Sequence, residues 1–347
     1  MLIFKLIDKL AKEHSLTLDE YVQLVGNFDD DTYDYARRKA VEARKKIYSN
    51  RVFIRGLIEI SNICKNDCYY CGIRKSNTLC SRYRLTKDEI LTCCEEGYSL
   101  GFRTFVLQGG EDGYFTDDVL CEIVKSIKAK YPECAVTLSL GERSYDSYKR
   151  LKEAGADRYL LRHESITREH YEMLHPENMS YDERVRCLND LKSLGFQVGC
   201  GFMVSSPFMT LKHIANDLKF IEEFKPQMCG IGPFIPHVDT PFGEFESGSA
   251  DFTCYLLSII RLIHPNILLP ATTALGSLAV GGREKGIMSG ANVIMPNLSP
   301  SSVREKYMLY NGKAFTGSEA GENLANIMAS LAEIGYETVV DRGDYVK

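Results

Sequence analysis

The stretch IEISNICKNDCYYCGIRKSN, residues 58–77, contains three cysteines in the spacing C-x3-C-x2-C: Cys64, Cys68 and Cys71. The apolar run at residues 52–60 leads directly into it and indicates a buried strand. Three thiolates on one short loop can hold three corners of a cubane iron–sulfur cluster, which leaves the fourth iron open to bind a substrate. We therefore take this loop as the candidate centre of the protein's chemistry.

A structural zinc site is the competing interpretation of the three cysteines. Such sites usually have four ligands, often supplied as two C-x2-C pairs. This loop contains one such pair, and the nearest further thiol, Cys80, comes nine residues after Cys71. The ligand count therefore favours a cluster over zinc.

The aromatic residue before the third cysteine adds a second feature. With Tyr70 at that position, the loop resembles the cluster loop of radical-SAM enzymes. The resemblance implies that the open iron chelates the amino and carboxylate groups of S-adenosylmethionine (SAM), and that reductive cleavage of SAM yields a 5′-deoxyadenosyl radical. In such chemistry the cofactor does the difficult step, and the protein supplies position and electrostatics.

Strand-like and helix-like runs alternate from residue 51 onward. Strands are predicted at residues 52–60, 104–108, 135–140, 158–162, 197–204, 228–231, 267–270 and 292–295. Helices are predicted at residues 86–100, 117–130, 144–154, 181–194, 211–224, 252–263 and 282–289. Eight strands in alternation with helices predict the α/β class and a complete (β/α)8 TIM barrel, with a doubly wound open sheet as the alternative.

The barrel is predicted to carry additions at both ends. Residues 1–50 have the periodicity of helices, and Thr17-Leu-Asp-Glu20 has the pattern of a capping box. We expect N-terminal helices at 1–50, the barrel at 51–300, and a C-terminal helical segment at 301–347 packed on the barrel.

Composition excludes several classes of protein. The net charge is −5 with Lys and Arg scattered, so no nucleic-acid footprint is present. No apolar run approaches the roughly 20 residues of a membrane span, and the N-terminus lacks the features of a signal peptide. Twelve cysteines in a chain of 347 residues without such a signal indicate reduced thiols and a cytoplasmic protein.

Polar residues follow the predicted strands at their carboxyl ends, where the active site of a barrel lies. The second strand ends in the run 108–112, the fourth in Arg162-His-Glu164, and the seventh is followed by Thr272-Thr273. Because the strands are expected to be parallel, their carboxyl ends meet at one mouth. These side chains are therefore predicted to share one site.

Two interpretations stay open for most of these residues. Gly110 can let the backbone approach the SAM ammonium group with Glu111 close by, or it can simply form a turn. Glu164 can accept from ribose hydroxyls and Arg162 can bind a carboxylate, or both can belong to an ion-pair network at the rim. His163 falls on the opposite face of its strand and is predicted to pack in the interior.

Longer strings extend the resemblance to one family. From its N-terminal helices to about Gly312, the chain is similar to the HydE type of FeFe-hydrogenase maturases, in the biotin-synthase-like branch of radical-SAM enzymes. Besides the cysteine loop, the resemblance is carried by RYLLRHE (158–164), GIGPFIPHVDTPF (230–242), PATTALG (270–276) and GGREKGIMSGANVIMPN (281–297). It implies a complete (β/α)8 barrel.

The resemblance also implies roles for individual residues. One 4Fe–4S cluster would be held by Cys64, Cys68 and Cys71. SAM contacts would come from Tyr70, Gly110, Glu111, Ser139, Glu164, Arg184 and Ile231. The internal cavity would be lined by Gln108, Arg162, Thr272, Thr273, Met295 and Tyr307. In the family this cavity takes a cysteine-bound iron carbonyl–cyanide precursor of the hydrogenase cluster, so other hydrogenase maturases and a ferredoxin- or flavodoxin-type electron donor are expected partners.

The chain departs from the family pattern at two places. Many relatives hold a second cluster on C-terminal cysteines, but residues 311–322 contain no cysteine, so we expect one cluster only. Residues 204–210 lack the Gly-x-Pro-Gly-Gln-Thr pattern that is common after the fifth strand, which leaves the conformation of that loop open.

Two alternative functions remain at this point. One is a radical-SAM mutase or sulfur-inserting enzyme of the methylornithine-synthase or biotin-synthase kind, which shares the barrel and the cysteine loop. The other is a non-catalytic iron–sulfur scaffold that binds an assembly intermediate and passes it on.

Overall fold

The computed structural model describes residues 2–313 and 320–346. In that part of the chain the strands are, in order, β1 (Arg51–Ile54), β2 (Gly56–Ser61), β3 (Thr104–Gly109), β4 (Ala135–Ser139), β5 (Arg158–Leu160), β6 (Gln197–Cys200), β7 (Met203–Val204), β8 (Met228–Cys229), β9 (Gly232–Pro233), β10 (Val293–Ile294) and β11 (Glu337–Val339).

The strands close into a parallel barrel. Strands β2, β3, β4, β5, β6 and β8 form a six-stranded sheet in that order. Closure continues through the single bridges Met228–Leu268 and Pro270–Val293, and then through β10, which pairs in parallel with β1. The predicted (β/α)8 barrel is therefore confirmed, and the open doubly wound sheet is excluded.

Three predicted strands are less regular than expected. The run at 52–60 divides at Arg55, because β1 pairs with β10 and β11 whereas β2 pairs with β3. The run at 197–204 breaks at Gly201, whose φ of +149° brings it so close to Gly230 that a Cβ would lie 2.0 Å from the Gly230 carbonyl oxygen. The run at 267–270 contributes bridges rather than a full ladder.

The helices of the described residues surround the barrel. They are α1 (Leu2–Glu13), α2 (Leu18–Gly26), α3 (Asp30–Tyr48), α4 (Lys87–Ser99), α5 (Asp117–Lys130), α6 (Tyr145–Glu153), α7 (Arg168–Leu174), α8 (Tyr181–Ser193), α9 (Leu211–Phe224), α10 (Ala250–Ile263), α11 (Thr273–Leu278), α12 (Gly282–Met288), α13 (Ser301–Arg304) and α14 (Ala320–Glu333). Helices α7, α11 and α13 were not predicted, because each has seven residues or fewer and so shows too little amphipathic period.

The N-terminal helices cover the outside of the barrel. Helix α3 packs on α10, and α2 packs on α9. Since α10 is covered on its outer side as well, its residues from Thr253 to Ile263 are all buried. The capping box at Thr17 is present, with the Glu20 N–H donating to the Thr17 hydroxyl at 3.3 Å. The domain boundaries at residues 50 and 300 stay predictions.

The C-terminal segment closes the amino-terminal end of the barrel, and it is not purely helical as predicted. Strand β11 adds to β1 in parallel. Beyond it, Asp344 lies 2.6 Å from the fully buried Arg158 guanidinium, and the Arg342 carbonyl accepts from Thr104 and Arg158. Local periodicity could not predict this plug, because its partners lie about 180 to 240 residues away along the chain.

None of the helices in the described residues combines the length and the apolar character that a membrane span requires.

Candidate active site

The cysteine loop begins where β2 ends and lies over the carboxyl-terminal mouth of the barrel. Much of it lacks helix or strand, so its backbone carbonyls need other donors. The Arg82 guanidinium supplies them. It donates to the carbonyl oxygens of Asn62, Ile73, Arg74 and Asn77 at 2.5 to 2.9 Å. One side chain thus joins both ends of the loop.

Two glycines let the loop pack closely. A Cβ on Gly72 would lie 2.2 Å from the Met308 carbonyl oxygen, and one on Gly110 would lie 2.3 Å from the Ile63 carbonyl oxygen and 2.8 Å from the Cys64 Cβ. Gly110 was interpreted as a place where the backbone approaches a ligand or simply turns. In the structure its missing side chain lets the end of β3 pack against the cysteine loop itself.

A cavity of about 360 Å³ lies inside the barrel mouth, and all three loop cysteines line it. Among the described residues no three Cys, His, Asp or Glu side chains converge on a single metal position. Thiolates at three corners of a cubane each bind a different iron, so they must border a common space without converging on one ion. Three thiols that border one cavity suit such a cluster.

Burial keeps the thiols protonated in the absence of metal. It raises the pKa of Cys71 to about 12 and that of Cys68 well above its usual value. Because only thiolates bind iron, the metal itself has to displace these protons when a cluster is loaded. The Glu111 N–H lies 3.4 Å from the Cys64 sulfur and donates to it, which favours the thiolate form.

Most of the residues predicted to contact SAM line the cavity. They are Tyr70, Gly110, Glu111, Ser139, Glu164 and Arg184. Ile231 differs from this set: it is fully buried in the apolar core, while its neighbours Gly230 and Gly232 border the cavity. Its predicted contact with the adenosyl group stays a prediction, which the observed burial does not favour.

Glu164 has the most unusual backbone of this set. Its φ of +61° is left-handed, a conformation that a non-glycine residue adopts only where the surroundings impose it. The Glu164 N–H donates to the Gly201 carbonyl at 3.1 Å, and this holds the turn. One carboxylate oxygen of Glu164 is buried without a hydrogen bond from any described residue, although the Arg162 guanidinium lies 3.3 Å away. It can therefore accept from a ligand.

Arg184 and Glu111 are held by partners at the rim. The Arg184 guanidinium donates to Glu142 at 2.5 Å and to the Arg162 carbonyl at 2.6 Å. Glu111 accepts from the Glu142 N–H at 2.9 Å and pairs with Lys65 at 3.0 Å. The rim network that the sequence left as an alternative therefore exists. It does not exclude ligand contacts, because both side chains also face the cavity.

Tyr70 is oriented by a histidine that sequence reasoning missed. Burial lowers the pKa of His175 to about 3, and its imidazole is therefore neutral at pH 7. Its Nδ1 lies 2.8 Å from the Tyr171 carbonyl and must carry the proton, so its Nε2 accepts from the Tyr70 hydroxyl at 3.1 Å. This bond fixes the Tyr70 ring beside Cys71.

The deeper part of the cavity holds the remaining predicted side chains. Gln108, Arg162, Thr272, Thr273, Met295 and Tyr307 all line it. Thr272 precedes α11 but makes no capping bond, and its hydroxyl is buried without a partner among the described residues. Two nitrogens of Arg162 also make no hydrogen bond with the described residues, although one of them lies 3.3 Å from the Glu164 carboxylate. Buried polar atoms without partners are costly, which indicates that a ligand supplies the missing bonds.

The comparisons with known proteins agree with this geometry. The Radical SAM superfamily matches residues 58–221. The chain is 45% identical to the [FeFe] hydrogenase maturase subunit HydE of Thermotoga maritima over 274 residues, which cover 79% of this chain and 78% of that protein. An identity of this size over most of both chains decides the family.

The chain belongs to the HydE-type radical-SAM hydrogenase maturases.

Other relatives share the barrel at lower identity. The 3-methylornithine synthase of Methanosarcina barkeri is 27% identical over 88% of this chain and 86% of its own length. Crystal structures of the methylornithine synthase PylB and of the maturase HydG superpose with TM-scores of 0.84 and 0.79. Their identities are 24% and 22%, with 96% and 97% of this chain covered and 97% and 75% of theirs, so they show the fold alone.

The family implies a 4Fe–4S cluster and SAM, and the residues present fit both groups. Three thiols border one space, and a carboxylate oxygen without a hydrogen bond and a cationic guanidinium face the same cavity.

His163, by contrast, is buried against α9, 3.3 Å from Asp217, and is not among the cavity-lining residues. The loop at 204–210 turns through left-handed Ser205 and Phe208, which replace the glycine-rich pattern.

Sequence reasoning missed a charged pair at the inner end of this HydE-type cavity. Glu59 on β2 forms an ion pair with Lys313, and both side chains are nearly inaccessible, 0% and 7% exposed. Asn297 donates to Glu59 at 2.9 Å, and Lys313 donates to the Tyr307 carbonyl at 2.8 Å. A glutamate within an apolar strand was the available signal for Glu59. Nothing local pointed to Lys313.

We expect Arg82→Gln to weaken the hold on the cluster loop. The variant loses most of four charge-assisted bonds, each worth about 1.5–3 kcal/mol. After anaerobic reconstitution it should retain less than about half of the wild-type iron, measured by iron analysis and visible absorbance. Lys75→Gln, at an exposed position of the same loop, is the matched control and should load normally. Full iron content in Arg82→Gln would contradict the assigned role.

We expect Lys313→Met to destabilise the protein by about 3–5 kcal/mol, because it leaves Glu59 charged and buried without its partner. Chemical denaturation of the cluster-free protein measures this. The double variant Glu59→Gln/Lys313→Met should recover much of the loss, and Lys212→Met at an exposed site should have little effect. A single variant as stable as the wild type would show that the pair is not coupled.

Proposed function

We propose that this HydE-type enzyme cleaves SAM reductively and uses the radical on a cysteine-bound iron carbonyl–cyanide precursor during assembly of the FeFe-hydrogenase active-site cluster. The observation that carries the proposal is the 45% identity with the Thermotoga maritima HydE over 79% of this chain. The buried, partly polar cavity beside the cysteine loop supports it, since a radical must be formed and used away from water.

We assign the two ends of the cavity to different groups. Cys64, Cys68 and Cys71 would hold the cluster, which supplies one-electron reduction of SAM when bound. Glu164 would accept from the ribose hydroxyls, and Arg184 would face the methionine carboxylate. Tyr70, fixed by His175, would close the adenosyl side. These contacts would orient SAM so that the bond to be broken faces the deeper cavity.

The deeper cavity is assigned to the substrate. The Arg162 Nε–H and the Thr272 hydroxyl make no hydrogen bond with the described residues, so they can bind the carboxylate and the polar ligands of the precursor. Gln108 donates to the Tyr307 hydroxyl at 3.4 Å, and that phenol lies in the cavity wall. Met295 and Thr273 complete the lining.

Two other functions are the alternatives to this proposal. The 27% identity with 3-methylornithine synthase over 88% of the chain favours a radical-SAM mutase as the second candidate, and sulfur insertion of the biotin-synthase kind belongs with it. A non-catalytic scaffold is the third. The open polar atoms of the deeper cavity are compatible with each of these substrates, so the distinction has to come from activity.

The decisive experiment is maturation of apo-hydrogenase in an extract that lacks this protein, with and without adding it back. We expect hydrogenase activity to depend on the added protein and on SAM. In parallel, the reduced cluster-loaded protein should release 5′-deoxyadenosine. Absence of 5′-deoxyadenosine would favour the scaffold, whereas cleavage without any rescue of maturation would favour the mutase.

The variant Arg162→Met should distinguish the role of the substrate part of the cavity from that of the SAM part. We expect a loss of about ten- to a hundredfold in maturation, because a buried charge-assisted bond to substrate is removed. SAM cleavage without substrate should fall much less than maturation, since Glu164 and Arg184 are still present and Glu164 loses only its ion pair with Arg162. Arg162→Lys, which keeps the charge but not the planar fork, is the matched control and should recover part of the activity. Equal loss of both activities would move Arg162 to the SAM site.

We further propose that the chain holds one cluster. Its cysteines end at Cys254, although residues 314–319 of the relevant C-terminal stretch lie outside the described residues. Iron and sulfide analysis should give about four of each per chain, as for a single 4Fe–4S centre. A triple Cys64→Ser, Cys68→Ser, Cys71→Ser variant that still holds about four irons would contradict this.

The proposed chemistry also requires partner proteins and a reducing environment. We propose that other hydrogenase maturases supply the precursor and accept the product, and that a ferredoxin- or flavodoxin-type protein supplies the electron. All twelve cysteines lie in the described range and are free thiols, which supports a reducing, cytoplasmic location.

A further inference from the structure

A second hollow, of about 500 Å³, lies on the outer side of the cysteine loop. Its wall includes Lys65, Lys75, Arg82, Arg84 and Tyr114. It faces solvent, with the Lys65 and Arg84 side chains 65% and 41% exposed. The proposed reaction on SAM takes place in the inner cavity and leaves this outer hollow without a role.

Cys64 connects the two spaces. Of the three loop cysteines, all in the described part of the chain, Cys64 alone borders both the outer hollow and the inner cavity. Cys68 and Cys71 face the inner cavity, where SAM and the substrate would bind. Of the three thiols, Cys64 is therefore the one that lies beside the solvent-facing hollow.

The outer hollow is positively charged on a negatively charged protein. Its lining has four cationic side chains and two carboxylates, on a chain of net charge −5. Both carboxylates are already paired, Glu111 with Lys65 at 3.0 Å and Asp112 with Arg84 at 2.6 Å. Arg82 donates to backbone carbonyls, and Lys75 has no ion-pair partner among the residues that the structure describes. An excess of two positive charges thus remains beside Cys64.

The residues that line the hollow are polar and aromatic, as in a transient protein interface. The Tyr114 ring is 52% exposed, and the Arg84 guanidinium lies over it at 5.1 Å. Arginine and tyrosine are enriched at protein interfaces because they bury area and still hydrogen-bond. A basic surface with such a contact suits an acidic protein better than a small anion.

We propose that this outer hollow is the docking surface for an electron-donor protein with an acidic face around its flavin or iron–sulfur centre, and that the electron enters next to Cys64. In this step the donor centre loses one electron and the cluster gains one, with no bond made or broken. The inference rests on the proposed function only in requiring a cluster on Cys64. It does not depend on the identity of the substrate.

The test is the rate of cluster reduction by a photoreduced acidic flavodoxin, followed anaerobically by stopped-flow absorbance. Lys75→Gln and Lys75→Glu remove one and two charge units at an exposed site. We expect reduction at low salt to slow about threefold and about tenfold respectively, as electrostatic steering is lost. The differences should shrink in high salt, because exposed charges are screened there.

Two controls separate docking from damage to the loop. Reduced methyl viologen, a small cation, should reduce the Lys75 variants as fast as the wild type or faster. Lys5→Glu, an exposed charge reversal on α1, should leave the flavodoxin rate unchanged. Unchanged flavodoxin rates in both Lys75 variants, or an equal slowing with methyl viologen, would overturn the proposal. Since the readout is cluster reduction, a protein that passes this test and fails to mature hydrogenase would refute only the proposed function.

Discussion

The Arg82 guanidinium, which donates to four backbone carbonyls at both ends of the cysteine loop, is the interaction on which the site depends. Three thiols can border one space only if an irregular backbone is held in one conformation without the support of helix or strand. Arginine suits this task because its planar, permanently charged head offers five donors in a rigid fork. Gly72 and Gly110 also contribute, because a side chain at either position would prevent the close packing of the loop against the barrel.

The barrel interior contains buried charged side chains at two levels, one toward the C-terminal plug and one at the inner end of the cavity. Arg55, between β1 and β2, is buried toward the C-terminal plug, where it donates to the Gly343 carbonyl, while Glu59 on β2 is buried at the inner end of the cavity with Lys313. Arg158 at the plug and Glu59 in the cavity each have an ion-pair partner within the chain. In the cavity, buried polar atoms of Arg162, Glu164 and Thr272 make no hydrogen bond with the described residues, although Arg162 and Glu164 form an ion pair at 3.3 Å. Within the cavity, such atoms are available to a bound ligand.

Two faces of the same loop serve different chemistry. The inner face, with Cys68, Cys71 and Tyr70, borders the cavity in the barrel mouth, and the outer face, with Cys64, borders a basic surface exposed to solvent. A radical enzyme has to keep water from its substrate and still admit electrons. The cysteine loop lies between the two spaces, which is the position that the proposed electron entry and the proposed radical chemistry both require.

The sequence by itself determined the alternation of strands and helices, the cysteine spacing and the polar strand ends, because these are local patterns. The barrel and the family followed from them and were confirmed. Only the tertiary structure showed that Gly110 serves loop packing, that His175 orients Tyr70, and that Ile231 is turned into the core. It alone joined Glu59 to Lys313, 254 residues apart, and laid the C-terminal strand against β1. The physical reason is that each of these contacts joins residues distant along the chain, and no periodicity within a single segment records which distant partner will satisfy a buried charge or an open strand edge.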